Sequence, residues 1–275
     1  MRPRLLAVDG HHLLYRSWFG FPTRIRSRDG TRDLTGIFGF LAILRKTHRE
    51  LLPDAEIIVA FDGEHATDHR RSQDSSYKAT RAEMDHTPIA SLNSVKDALT
   101  TIGVAWIELD DHEGDDVIAT LSASAEAEGR TVTCFSGDRD LHQLAAPAVT
   151  ILTPDRRWIT PEAVLARHHV TPAQWPDFRA LTGDPTDNIP GVRGVGPRTA
   201  ATLLAGGIHL DDLPDSGRLN SARGQAITSI WDQLLTWRDL IRLDRQVPLK
   251  PGLTTGLATA ELPRAATILE TLELW

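Results

Sequence analysis

Nine acidic residues between positions 9 and 187 stand where an apolar run ends or a helix begins. They are Asp9, Asp62, Glu113, Asp115, Asp116, Asp138, Asp140, Asp184 and Asp187. Apolar runs such as Leu5–Val8 are typical of buried parallel strands, whose carboxyl ends meet at one edge of a sheet. Carboxylates gathered there repel one another unless cations lie between them, and Mg²⁺ or Mn²⁺ prefer oxygen ligands. The spacing therefore predicts a site for two divalent cations that performs phosphoryl-transfer chemistry.

Each group of acids taken alone has an ordinary explanation. The run from Glu113 to Asp116 stands at a helix start, where negative charge is favoured by the helix dipole. The run from Gly137 to Asp140 suits a turn and a cap. Acids at four separate strand exits are harder to explain by capping, so their joint occurrence favours metal binding.

A glycine-rich segment, residues 183–200, carries the second signal. Its sequence GDPTDNIPGVRGVGPRTA places Gly194 and Gly196 just before a helix, where backbone N–H groups are able to meet a phosphate. No strand precedes it and no Walker sequence occurs, so it is not a nucleotide-binding fingerprint. The pattern predicts a helix-hairpin-helix near residues 183–205 that grips a DNA backbone without reading bases. The alternative is a tight turn between two helices with no ligand. The candidate DNA contacts are Gly191, Gly194, Val195, Gly196, Arg198 and Thr199.

Residues 63–87, which we call the arch segment, are polar, charged and almost free of aliphatic side chains. Arg70, Tyr77 and Arg81 fall at i, i+7 and i+11, with Arg71 and Lys78 beside them. If the segment is helical, these residues share one face, which would hold a single strand electrostatically while Tyr77 stacks on a base. The alternative is an ordinary solvated charged face.

The elements that must position these residues follow an alternating pattern. Apolar runs at 4–9, 56–61, 104–109, 131–136 and 148–152 are separated by helical patterns. This predicts an α/β fold with a central, mostly parallel sheet flanked by helices over residues 1–170. For residues 171–275 the sequence predicts only helices and turns. We expect this part of the chain to form a helical DNA-binding subdomain.

Charge and composition narrow the class of protein. The net charge is −7, but without the nine acids named above 28 acidic residues face 30 basic ones, so the charge does not exclude a nucleic-acid partner. No stretch approaches the roughly 18 apolar residues of a membrane span, and no secretory signal precedes the first strand. The single cysteine, Cys134, lies in an apolar run typical of the core. A cytoplasmic protein is expected.

The chain resembles the 5′-to-3′ exonuclease and flap endonuclease family, most closely the nuclease domain at the amino end of bacterial DNA polymerase I. The likeness covers essentially the whole chain, and the GDPTDNIPG run followed by Gly194-Val195-Gly196 is its most specific part. Gly114 and Arg139 replace the family's usual alanine and lysine, and no carboxylate of the family's set is missing. The segments that carry the likeness are 8–10, 14–16, 35–40, 61–62, 77–81, 113–116, 136–140 and 183–200.

The resemblance implies a PIN-like flap endonuclease fold with a helical arch above the metals. It assigns Asp9, Asp62, Glu113, Asp115 and Asp116 to a first divalent cation, Mg²⁺ or Mn²⁺. It assigns Asp138, Asp140, Asp184 and Asp187 to a second. Lys78 and Arg81 become catalytic groups, and Arg70, Arg71 and Tyr77 become DNA contacts. A potassium ion at the hairpin is also implied.

The implied activity is structure-specific cleavage of DNA at 5′ ends, flaps and junctions, by 5′-to-3′ exonuclease and 5′-flap endonuclease action in replication and repair. RNA primers are an alternative substrate. The expected protein is a free-standing monomer that acts beside a separate DNA polymerase and contacts no membrane. A structure-specific DNA-binding protein with weak or no catalysis is the main rival. A Mg²⁺-dependent phosphatase or an RNA-cutting nuclease on a related sheet is the other.

Overall fold

A six-stranded sheet forms the centre of the molecule. The computed structural model describes residues 2–80 and 85–275. The strands are β1 (Leu5–Asp9), β2 (Glu56–Asp62), β3 (Ala105–Leu109), β4 (Val132–Phe135), β5 (Val149–Leu152) and β6 (Trp158–Ile159). Their order in the sheet is β3-β2-β1-β4-β5-β6, with all pairs parallel except β5 and β6. The five predicted strands are present, whereas β6 was missed because two residues are too few to show a period.

Helices cover both faces of this sheet. The helices are α1 (Gly10–Gly20), α2 (Thr35–Leu51), α3 (Asp68–Gln73), α4 (Leu92–Thr101), α5 (Gly114–Ala127), α6 (Pro161–His168), α7 (Trp175–Thr182), α8 (Pro197–Leu203), α9 (Ala222–Thr228), α10 (Trp231–Ile241) and α11 (Ala265–Thr271). None of them, within the described part of the chain, has the length and apolarity to span a membrane. Alternate residues of β1 point to opposite sides of the sheet, so Leu6 and Val8 pack with α1, α2, α4 and α11, whereas Leu5 and Ala7 pack with α5.

The strand order reverses at β1, which lies between β2 and β4. In open parallel sheets such a reversal opens a crevice at the carboxyl ends of the strands, because the following helices leave in opposite directions. Asp9 ends β1 and Asp62 ends β2. The fold therefore brings the predicted acids to the crevice.

The arch segment is not one continuous helix. Helix α3 ends at Gln73, and Asp74 then accepts hydrogen bonds from the backbone and hydroxyl of Ser76, which starts a turn. Lys78 has a positive φ of 52°, which an α-helix does not allow. The prediction that Arg70 and Tyr77 share one face of a continuous helix is therefore wrong, because residues 74–80 are not α-helical. Arg81, the fifth residue of that predicted face, lies outside the described residues.

The glycine-rich segment connects α7 to α8. Gly183 and Gly191 both have positive φ, 86° and 69°, and their backbones pack against each other. A side-chain carbon on Gly191 would lie 2.4 Å from the backbone nitrogen of Gly183, so only glycine fits. This close approach folds residues 183–191 into a compact loop that carries Asp184 and Asp187 towards the sheet.

Candidate functional site

Three acids lie together: Asp9 at the end of β1, Asp62 at the end of β2 and Asp115 at the start of α5. The Asp9 carboxylate accepts hydrogen bonds from the backbone N–H of His12 at 2.8 Å and the Ser136 hydroxyl at 2.7 Å. Asp62 accepts one from the backbone N–H of Gly114 at 2.7 Å, which ties β2 to α5. Burial is the largest cause that raises the pKa of Asp9, and the Asp62 carboxylate adds to it.

Asp115 lies where the acids of both predicted groups meet. Burial raises the pKa of Asp115 well above its usual value, and the nearby carboxylates of Asp9 and Asp138 raise it further. Like charges disfavour ionisation when they are close and shielded from water. The acids assigned to two separate cations therefore form one continuous carboxylate cluster, with Asp115 between them.

The second predicted group is equally compact. Single carboxylate oxygens of Asp140, Asp184 and Asp187 lie within 4.8 Å of one another, and all three residues are buried. The pKa of Asp140 is raised well above its usual value by burial first and then by the carboxylates of Asp138 and Asp187. Its buried Oδ1 has no hydrogen-bond partner among the described residues. An orphaned anionic oxygen of this kind is costly unless a cation compensates it.

Glu113 and Asp116 are engaged by basic side chains of the arch segment. Arg70 donates to both oxygens of Asp116 at 2.8 Å, and its Nη1 also lies 3.0 Å from Glu113. Lys78 is buried and pairs with Glu113. Asp116 further accepts from the backbone N–H of Asp244 at 2.9 Å, which anchors the chain after α10. The structure thus brings the predicted acids and the predicted basic residues into direct contact.

Tyr77 and Arg71 differ in what they offer to a nucleic acid. The Tyr77 side chain is 3% exposed, and its hydroxyl donates to Glu113 at 3.2 Å and lies 3.4 Å from Asp187. The predicted stacking of Tyr77 on a base requires its ring to leave this position, so in this conformation the expectation of an exposed aromatic face is wrong. Arg71 is exposed, with its Nε 3.4 Å from the carbonyl of Tyr77.

Arg179 is a site residue that the sequence analysis missed. It lies on α7, pairs with Asp184, and brings its Nε to 3.8 Å from Asp140. Its position in the apolar stretch from Phe178 to Leu181 is the signal that was available, since a lone basic residue there needs a buried partner.

His11 and His12 bind backbone groups at the edge of the cluster, and the Nδ1 atom of His11 also lies 3.7 Å from the Asp62 carboxylate. The Nδ1 atom of His11 accepts from the backbone N–H of Asp62 at 3.0 Å, and that of His12 accepts from Gly137 at 3.3 Å.

The predicted hairpin contacts divide into buried and open positions. Val195 is buried, and its N–H donates to the carbonyl of Val192 at 3.0 Å, so its contribution is to shape the loop. Side-chain carbons added at Gly194 or Gly196 would meet no described atom within 4 Å. Gly196 also has an ordinary φ of −91°. Among the described residues, neither packing nor backbone conformation therefore requires glycine at 196. Arg198 is exposed and Thr199 is half-buried on the same loop and helix.

The donor set fits hard divalent cations. All the clustered ligands are carboxylate oxygens, and Mg²⁺, Mn²⁺ and Ca²⁺ prefer such oxygens over nitrogen or sulfur. The Oδ1 of Asp140 has no hydrogen bond among the described residues, and burial followed by the neighbouring carboxylates raises the pKa values of Asp115 and Asp140. A bound cation would compensate both effects.

Comparison with known sequences identifies both halves of the chain. Residues 4–169 match the family profile described as 5′-3′ exonuclease, N-terminal resolvase-like domain, and residues 170–263 match 5′-3′ exonuclease, C-terminal SAM fold. Thermostable DNA polymerase I of Thermus thermophilus is 36% identical over 256 residues, covering 92% of this chain and 30% of that protein. DNA polymerase I of Mycobacterium leprae is 36% identical over 256 residues, covering 90% of this chain and 28% of that protein. The chain thus spans less than a third of these relatives' length.

Solved structures share the fold over nearly the whole chain. A bacteriophage T5 5′-exonuclease with bound zinc ions superposes with a TM-score of 0.66 and 18% identity, covering 98% of this chain and 99% of that one. Human GEN1 in complex with Holliday junction DNA gives a TM-score of 0.62 and 16% identity, covering 100% of this chain and 70% of that one. The predicted fold class, a mostly parallel sheet flanked by helices with a helical C-terminal part, is confirmed.

Proposed function

The chain belongs to the 5′-3′ exonuclease family, and from that premise we propose that it is a divalent-metal-dependent nuclease that cuts DNA at 5′ ends and 5′ flaps. The observation that carries the proposal is the buried carboxylate cluster at the point where the strand order reverses. A role in DNA replication or repair belongs to the same proposal.

The carboxylate cluster would hold two cations. Asp9, Asp62, Glu113 and Asp115, with Asp116 if Arg70 releases it, form the first ligand set. Asp138, Asp140, Asp184 and Asp187 form the second. Bound divalent cations would supply Lewis-acid stabilisation of charge on phosphate oxygens and would lower the pKa of water. The burial and crowding that raise the pKa values of Asp115 and Asp140 support this assignment, because a bound cation would favour the ionised form of both acids.

The basic residues of the arch segment would act on the phosphate. Lys78 and Arg70 lie on the acids of the cluster, so cations that neutralise those acids would leave both side chains able to pair with an incoming phosphate. A cationic side chain placed there stabilises charge that grows on the phosphate in the transition state. We assign this role to Lys78, with Arg81 as a further predicted contributor.

The loop before α8 would hold the DNA backbone away from the cut. Gly196 has open space around its α-carbon and no conformational need for glycine, which suits close approach by a phosphate. Arg198 is exposed beside it and carries the matching charge. The predicted potassium ion at this loop is part of the same proposal.

The decisive experiment is cleavage of a labelled double-flap DNA in Mg²⁺ or Mn²⁺, with a chelator control. The double variant Asp138→Ala/Asp140→Ala should lose cleavage and keep its affinity for DNA, since it removes cation ligands and no DNA contact. Cleavage that survives in this variant would overturn the two-cation assignment. DNA binding without cleavage by the unaltered protein would favour the DNA-binding rival, and hydrolysis of small phosphate esters alone would favour a phosphatase.

A further inference from the structure

A positively charged cavity lies beside the carboxylate cluster and takes no part in the function proposed above. It has a volume of about 70 Å³ and is bounded by the loop after β4, the turn between β5 and β6, and helix α6. Three arginines and two histidines line it, and we call it the cationic cavity. They are Arg139, Arg157, Arg167, His142 and His168. Burial is the largest cause that lowers the pKa of both histidines, that of His142 to about 4, so the three arginines supply the positive charge.

The charge of the cationic cavity is poorly compensated. No carboxylate lines it among the described residues. Arg157 pairs with Asp155 at 2.8 Å, and both of these side chains are at least half exposed to water, so the pair offsets little of the charge. The pKa of His168 is lowered by burial first and then by the positive charges of Arg167 and Arg139, which shows that these charges act on the same small volume.

The back wall of the cavity is rigid. The rings of His142 and His168 both pack on Trp175, with centroid distances of 4.7 and 4.8 Å, and Trp175 is 1% exposed. Side chains fixed by packing lose little freedom when a ligand binds. Arginines at the rim complete a pocket that is already formed in the free protein.

The cavity adjoins the proposed cutting site. Arg139, which lines the cavity, stands between Asp138 and Asp140 in the chain. The cavity and the carboxylate cluster therefore share the loop after β4, and this shared loop is the basis for assigning a ligand of the cavity to the DNA strand at the cluster. Guanidinium groups match the oxygens of phosphate in a two-pronged geometry, and the small volume admits one such group.

We propose that the cationic cavity binds one phosphate group. Resting on the proposed function, we assign it to the strand whose neighbouring phosphodiester lies at the carboxylate cluster. The phosphate would be either the terminal 5′-phosphate of that strand or an internal one, and both share the same chemistry. The site would fix the register of the strand, and so the position of the cut.

The first test measures inorganic phosphate by titration calorimetry on the full chain without divalent metal. The variant Arg157→Gln/Arg167→Gln removes two exposed arginines that are not cluster ligands, and Arg264→Gln removes an exposed arginine at the start of α11 as a matched control. We expect the double variant to bind phosphate about tenfold or more weakly, since hydrogen bonds to charged groups are strong. The control variant should match the unaltered protein, and all three should unfold at the same temperature.

The second test measures DNA by fluorescence anisotropy in chelator over a range of salt. Duplexes with a 5′-phosphate and a 5′-hydroxyl are compared. In the double variant the slope of log affinity against log salt should fall by roughly 1 for a lost phosphate contact. A loss confined to the 5′-phosphorylated duplex identifies the terminal phosphate, and an equal loss on both identifies an internal one.

The outcomes separate this inference from the proposed function. If the double variant binds phosphate and both duplexes as well as the Arg264→Gln control does, the phosphate site is overturned. If DNA binding is unchanged while phosphate binding is lost, the assignment to the strand is overturned. If the unaltered protein binds phosphate through these arginines but binds no DNA, the proposed function fails and the phosphate site stands.

Discussion

Arg179 offers the sharpest test of how the carboxylate cluster is stabilised. Its side chain is 14% exposed and pairs with Asp184, which is 6% exposed. The variant Arg179→Gln removes the guanidinium and leaves the Asp184 carboxylate buried without its positively charged partner. Breaking a buried pair by removing one partner costs about 3–5 kcal/mol, and we take about 3 kcal/mol because Asp184 keeps a hydrogen bond from the backbone of Thr186. For a chain of this size that corresponds to about 6–12 °C in the unfolding temperature.

Divalent cations should reverse much of this loss. A cation that binds only the folded protein stabilises it by mass action, and it binds more strongly where more negative charge is left uncompensated. In chelator, the free energy of unfolding of Arg179→Gln should be about 3 kcal/mol lower than that of the unaltered protein. In saturating Mn²⁺ we expect this gap to fall below about 1 kcal/mol. Urea unfolding followed by circular dichroism, with and without Mn²⁺, measures both gaps.

A second buried ion pair provides the control. Arg130 donates to Glu56 at 2.6 Å, and the two side chains are 1% and 6% exposed. Glu56 begins β2, so this pair lies at the opposite end of that strand from Asp62 and the carboxylate cluster. Arg130→Gln should lose a similar amount of stability, and Mn²⁺ should leave that loss unchanged because no cluster lies there. If Mn²⁺ narrows neither gap, or narrows both equally, then Arg179 does not balance a cation site.

Two further predictions concern pH and backbone packing. The pKa of Asp140 is raised in the folded chain above its usual 3.8, so its contribution to stability is fully present below pH 3.8 and is lost as pH rises through the folded value. In chelator, Asp140→Asn should therefore gain stability relative to the unaltered protein as pH rises from about 4, as measured by urea unfolding, and a difference independent of pH would contradict this. Gly191→Ala should lose about 2–4 kcal/mol through its positive φ and its clash with Gly183. Gly194→Ala, which has positive φ but open space, should lose only about 1–2 kcal/mol, and equal losses would show that the clash is relieved.

The positions of the acids could be predicted from the sequence because they depend on strand ends. Buried parallel strands are apolar throughout, so the residue after each run marks the carboxyl edge, as at Asp9 and Asp62. For the acids at strand ends, convergence follows from parallel pairing, without knowledge of side-chain contacts. Asp184 and Asp187 are different, because the compact loop after α7 brings them to the sheet.

The pairing of the acids with basic residues could not be predicted in the same way. Arg70 reaches Asp116 across 46 positions, and nothing in the local pattern names that partner. The arch segment was predicted as one helix because its charges repeat at helical spacing, but Asp74 and the positive φ of Lys78 end that regularity. Hydrogen bonds from nearby side chains to the backbone compete with helix formation. The spacing of charged residues carries no information about these bonds, so it could not predict where the helix ends.

Helix α11 has a consequence for the order in which the chain folds. Leu262, Ile268 and Leu269 belong to the same apolar cluster as Leu6 and Val8 of the first strand. During synthesis helices α1, α2 and α4 cover part of that face early, but the part under α11 stays open until residues beyond 262 emerge. Exposed apolar surface at this stage promotes aggregation. A chain interrupted before α11 would carry every proposed catalytic residue and still present this uncovered patch to chaperones and proteases.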